Sequence, residues 1–176
     1  ALRQLSKMQV SNGGWPWFEG MPDDRYITQY IVTGIGHLQK LKAFDLSQQE
    51  HFTEIVEKAI PYLDKRIEED YNRLIQWKTD LKTYVPGPTE LQYLYARSFF
   101  TKPIPGHAQR AYEYFRERAR LTWVSQTKFL QGMTALVCNR TQDTKTANQI
   151  LASLRQTAIR NEELGMYWQT RQRGWW

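Results

Sequence analysis

An all-α fold of stacked antiparallel helical hairpins is what this sequence predicts. Three observations point to it. Apolar residues recur at three- and four-residue spacing along most of the chain. The breaks between these runs are short and rich in proline and glycine. A compact apolar run of the strand type occurs only after Asn161. Stacked hairpins form either an open solenoid or a closed α/α toroid, and no strict repeat period decides between them.

Residues 1–9 read as helix, and Asn12-Gly13-Gly14 stops it, because glycine tolerates the positive φ of a helix end. Tyr26 opens a helix whose stripe is Ile27, Tyr30, Ile31, Gly34, Ile35, Leu38 and Leu41. Ser47, with Glu50 three residues on, matches a capping box. It leads into Phe52, Ile55, Val56, Ala59, Ile60, Leu63 and Ile67, and the period continues through Tyr71, Leu74 and Ile75. Pro61 removes an amide donor inside this run and is expected to kink or split it.

Val85-Pro86-Gly87-Pro88-Thr89 is a loop, with Thr89 expected to cap a helix carrying Leu91, Leu94, Tyr95, Ala96 and Phe99. After the break at 102–106, a helix over 107–122 presents Ala108, Ala111, Tyr112, Phe115 and Ala119. Another, over 125–138, presents Phe129, Leu130, Met133, Leu136 and Val137. Asp143 or Thr144 caps a last helix with Ala147, Ile150, Leu151, Leu154, Ala158 and Ile159. The run 164–168 reads as a strand, with Gly174-Trp175-Trp176 as its candidate hairpin mate.

A length of 176 residues suits a single helical domain spanning 1–176 with a real core. Both ends look cut, since residue 1 opens in the last turns of a helix and the chain stops on two tryptophans. The expectation is an excised fragment of a larger multidomain protein. The formal charge of +6 raises the question of an anionic partner. Its distribution argues against nucleic acid, because Lys65-Arg66-Ile67-Glu68-Glu69-Asp70 and Arg116-Glu117-Arg118 alternate in sign, as solvated helix faces do. Only 155–173 is plainly basic, without a nucleic-acid-binding signature. No stretch approaches the length of a membrane span.

The single cysteine, Cys138, follows Ala135-Leu136-Val137 and reads as a buried thiol. His37, His51 and His107 lack metal-ligand spacing. Glu68-Glu69-Asp70 reads as a solvated face, and Asp23-Asp24 as a turn plus N-cap. Asn139-Arg140-Thr141 fits a glycosylation sequon. No nucleophile elbow, phosphate loop or dinucleotide fingerprint occurs. No catalytic, cofactor-binding or metal-binding residue is assigned, and the rings Trp15, Trp17, Phe18 and Tyr26 either line a hydrophobic substrate cavity or, as is the more common fate of such rings, lock helix ends.

Gln9, Gly13 and Trp15 form one copy of a Gln-x-x-x-Gly-x-Trp element. Triterpene cyclases carry it repeatedly at toroid corners, together with an Asp-x-Asp-Asp-type acid, whereas here Asp23-Asp24 is followed by Arg25. A second resemblance covers both ends of the chain. Leu5-x-x-Met8-Gln9 leading into Gly13-Gly14-Trp15-Pro16-Trp17-Phe18, then 27–38, resembles the thioester-type, complement-like helical domain of bacterial alpha-2-macroglobulin proteins of the Bacteroidetes type. Asn161-Glu162-Glu163-Leu164-Gly165-Met166-Tyr167-Trp168 with Gly174-Trp175-Trp176 resembles a later segment of that family, in the same order.

The resemblance implies an α/α toroid within a periplasmic, cell-surface or secreted protein that entraps proteases, often with a lipid anchor elsewhere in the parent. Its partners would be proteases and neighbouring domains of the same chain, with no enzyme activity and no membrane contact by this segment. The family's thioester forms in a Cys-x-Glu-Gln segment, whereas Cys138 is followed by Asn139-Arg140-Thr141. The candidate residues are therefore structural: Gln9, Gly13, Gly14, Trp15 and Trp17. The alternatives are an α/α-toroid enzyme of terpene-cyclase or sugar-processing type, and a helical-repeat module that binds a protein.

Overall fold

In the computed structural model the described residues are 2–42 and 50–169. Among them seven helices follow in order: α1 (Leu2–Met8), α2 (Arg25–Lys40), α3 (Glu50–Gln76), α4 (Pro88–Arg97), α5 (Gly106–Thr122), α6 (Lys128–Arg140) and α7 (Thr144–Gln156). A two-stranded antiparallel hairpin, β1 (Ile159–Asn161) and β2 (Gly165–Tyr167), completes the described chain. The fold is all-α with a short hairpin.

The helices lie in two layers. α1, α3 and α5 pack side by side in one, and α2, α4 and α6 in the other, with α2–α3, α3–α4, α4–α5 and α5–α6 contacts joining them. Within the second layer the helices run in one direction. Their last turns meet, as Tyr95 Oη lies 3.1 Å from His37 Nε2 and Arg140 donates to Ser98 Oγ at 2.9 Å. A core of Trp15, Ile60, Leu63, Ile67, Leu94 and Phe115 fills the space between the layers. α7 packs on α6 around a smaller cluster of Ala135, Ile150 and Leu154.

α3 passes through Pro61 without interruption, and Pro61 lies on its exposed side. The Glu57 carbonyl, deprived of its helical donor, therefore faces solvent and not the core. α4 starts earlier than its threonine suggests: Gly87 is the N-cap and Pro88 occupies the first turn, where its missing amide costs nothing. α6 begins at Lys128, capped by Thr127, whose Oγ1 accepts the Leu130 amide. A 3₁₀ turn over Trp123–Ser125 takes up Ser125, the residue expected to begin it.

The α2 stripe is rotated from its expected position. Thr28, Gln29, Val32, Thr33, Ile35 and Gly36 are buried, whereas Tyr26, Tyr30, Gly34 and Leu41 are exposed. Polar residues occupy this face because each is hydrogen-bonded there. Thr28 Oγ1 accepts the Trp15 amide, Gln29 Nε2 donates to the Thr89 carbonyl, and Gln92 Nε2 donates to Thr33 Oγ1. Phe129, Leu136, Leu151 and Ile75 are likewise exposed, although the periodicity placed them on buried stripes.

α7 ends at Gln156, so Ile159 belongs to β1 and pairs with Tyr167. Asn161 Oδ1 accepts the amides of Glu163 and Leu164 at 2.9 Å, which closes the turn. The partner of the 164–168 run is thus 159–161. Trp168 fastens the hairpin to α7 by donating from Nε1 to the Leu154 carbonyl at 2.8 Å. Ser47 and Gly174-Trp175-Trp176 lie outside the described residues.

Candidate functional site

The corner between α1 and α2 concentrates most of the sequence-predicted residues. Gln9 donates from Nε2 to the Gly13 carbonyl at 2.9 Å and to the Ile55 carbonyl of α3 at 3.0 Å. Gly13 adopts φ +95°, and a Cβ there would lie 2.1 Å from the Lys58 carbonyl oxygen. Only glycine fits this approach. At Gly14 a Cβ would lie 2.8 Å from Asp23 Cβ and 3.0 Å from the Tyr62 ring.

Trp15 is 1% exposed and ties three segments together. Its amide donates to Thr28 Oγ1 of α2, and its indole Nε1 donates to the Leu5 carbonyl of α1, both at 2.8 Å. Its carbonyl accepts the Asp24 amide at 2.8 Å. Asn12 completes the turn, with Oδ1 accepting the Gly14 amide and Nδ2 donating to Asp23. Trp17 stands apart: it is 53% exposed and stacks on Tyr26, which stacks on Tyr30.

Behind the corner lies a charged network. Asp23 accepts from Tyr62 Oη at 2.6 Å, Asn12 Nδ2 at 2.8 Å and Arg66 Nη2 at 2.9 Å. These bonds, led by that from Tyr62, hold its carboxyl at about 2. Burial, and then the bond to Asp23, push the Tyr62 phenol upward. Arg66 also covers the Tyr62 ring at 4.9 Å and pairs with Glu69 at 2.9 Å. Asp24 is the N-cap of α2, accepting the Ile27 amide at 2.9 Å.

Asp70, read from sequence as part of a solvated face, is buried. It pairs with Arg25 Nη1 at 2.5 Å and with Arg73 at 3.5 Å. Burial pushes its carboxyl upward and Arg25 opposes that shift. The Arg25 pair therefore joins the start of α2 to the C-terminal part of α3. Both Arg25 and Asp23 thus fasten α2 to α3 at one end of the layer.

Proton transfer finds little to work with in this network. A carboxyl held near 2 stays ionised around neutral pH and has no proton to give, and Asp24 is engaged as a helix cap. Among the described residues no group of three or more His, Cys, Asp or Glu side chains is placed to hold a metal ion. His37 packs against Tyr95 and Phe99, and His107 Nδ1 lies 2.9 Å from Glu68 Oε2. Burial pushes the Cys138 thiol up to about 11, so it is protonated at neutral pH. The thiol borders a cavity of about 180 Å³ between α5 and α6.

A buried ion pair escaped the sequence reading. Asp64 (1% exposed) accepts from Arg97 Nε at 3.0 Å and Tyr93 Oη at 2.7 Å, and Arg97 (2% exposed) also donates to the carbonyls of Phe100, Lys102 and Pro103. It anchors the α4–α5 loop to α3. Its signal in the sequence is Asp64 standing directly after Leu63 and four residues from Ile60, inside an apolar stripe. No known family model, curated protein or solved structure matches the chain.

Proposed function

We propose that this chain is a structural and protein-binding segment of an alpha-2-macroglobulin-like protease trap. One observation carries the reading. Gln9, Gly13, Gly14 and Trp15 are all engaged in fixing the α1–α2–α3 corner, while Trp17, Phe18, Tyr26 and Tyr30 beside it remain exposed. A corner built this way positions helices and offers rings to a neighbouring domain or a captured protease. The macroglobulin assignment itself rests on the ordered resemblance of 5–38 and 161–176.

On this reading the parent protein lies in the periplasm or at the cell surface, and any lipid anchor or thioester belongs to other parts of it. Sedimentation velocity of the protein before and after addition of a protease tests it. The expected result is a protease that co-sediments with the trap and a changed sedimentation coefficient. Separate, unaltered boundaries contradict it.

The two-layer stacking of helices favours a second reading, a helical-repeat module that binds a protein partner without cleavage. That module would bind an inactivated protease as well as an active one.

A further inference from the structure

At the opposite end of the second layer, the C-terminal ends of α2, α4 and α6 border an open groove of about 510 Å³, within the size range of small-ligand sites. Its floor is Phe99, which sits so close to α2 that a Cβ on Gly36 would lie 2.4 Å from the ring. Arg140 lies over that ring at 3.8 Å and is steadied by its bond to Ser98 Oγ. Lys40 and Lys42 line the α2 side. Among the described residues no carboxylate lines the groove, and none of these three cations makes an ion pair.

Basic residues at helix C-termini commonly just offset the helix dipole, so the charge must be weighed. Three helix ends contribute roughly −1.5 charges. Lys40, Lys42 and Arg140 carry three full positive charges, and Arg97 adds none because Asp64 neutralises it. A surplus of positive charge remains. Arg140 keeps further guanidinium donors beyond the one engaged by Ser98, and the Gln39 and Asn139 amides add neutral donors at the rim.

We propose that this groove binds a soluble oligophosphate-type anion, with Arg140 as the oriented donor on its aromatic base and Lys40 and Lys42 as point charges. The groove is independent of the α1–α2 corner and of the protease-trapping role. Calorimetric titration of the full chain with inorganic tripolyphosphate at low salt tests it. Arg140→Gln is expected to weaken binding about tenfold or more, as loss of one charge-assisted contact does. The pair Lys40→Gln, Lys42→Gln is expected to do the same without touching packed residues.

Lys65→Gln, on the exposed face of α3, is expected to change affinity less than about twofold. Absence of binding, or equal weakening by Lys65→Gln, overturns the proposal. A second arm uses phosphatidylcholine vesicles containing phosphatidylglycerol. Vesicle binding that depends on Lys40 and Lys42, without tripolyphosphate binding, also overturns it. Thermal melts of each variant identify any that fails to fold, and the lysine pair keeps the test valid if Arg140→Gln does not.

Discussion

Trp15 and Trp17 are two residues apart, yet their surroundings assign them opposite roles. Trp15 is buried and donates twice, so Trp15→Ala removes a packed ring and leaves the Leu5 carbonyl with the Gln9 amide alone. The expected cost is about 3–5 kcal/mol. Trp17→Ala removes an exposed ring and is expected to change stability by no more than about 0.5 kcal/mol. Urea melts of the two variants check both values. Asp23 adds a pH dependence. Its folded pKa of about 2 lies below the ordinary 3.8, so its contribution is fully present above pH 3.8 and is lost as pH falls toward 2. The stability difference between wild type and Asp23→Asn should shrink across that window. After solvent screening it amounts to on the order of 1–2 kcal/mol.

α2 shows where sequence reasoning stops. Its existence and near-limits follow from period and capping, since Asp24 and the Asn12-Gly13-Gly14 stop are local signals. Its buried face does not follow, because Thr28, Gln29 and Thr33 are buried only by virtue of partners on other segments: Trp15, Thr89 and Gln92. The same holds for Asp64 with Arg97 and for Asp70 with Arg25, where charge is buried by pairing that no periodicity announces. At the corner, Gly13 and Trp15 were legible as a helix junction, whereas Tyr62 and Arg66 approach Asp23 from α3 and left no local trace. α2 also contains two glycines that differ in their surroundings. A Cβ on Gly34 meets open space, so Gly34→Ala is expected to stabilise by about 0.5–1 kcal/mol through helix propensity. A Cβ on Gly36 would strike the Phe99 ring, so Gly36→Ala is expected to destabilise by about 1–3 kcal/mol. Melting temperatures of the pair moving in the same direction would contradict this packing of α2 on Phe99.

Two layers of helices and a fastened hairpin make a scaffold whose charged networks hold helices in place: Asp23–Arg66 and Arg25–Asp70 between α2 and α3, and Asp64–Arg97 between α3 and α4. Among the exposed apolar residues, Trp17, Phe18, Tyr26 and Tyr30 gather at one corner, and Val124 and Phe129 lie near the start of α6. On the proposed reading these rings would meet neighbouring domains and captured protease. No helix among the described residues is long and apolar enough to cross a membrane. The proposed trap encloses proteases. The decisive measurement is the ratio of a protease's activity on a large protein substrate to its activity on a small peptide, with and without the trap. The ratio is expected to fall about tenfold or more, with peptide cleavage retained, because enclosure excludes only large substrates. A ratio that does not change, or parallel loss of both activities, would contradict it.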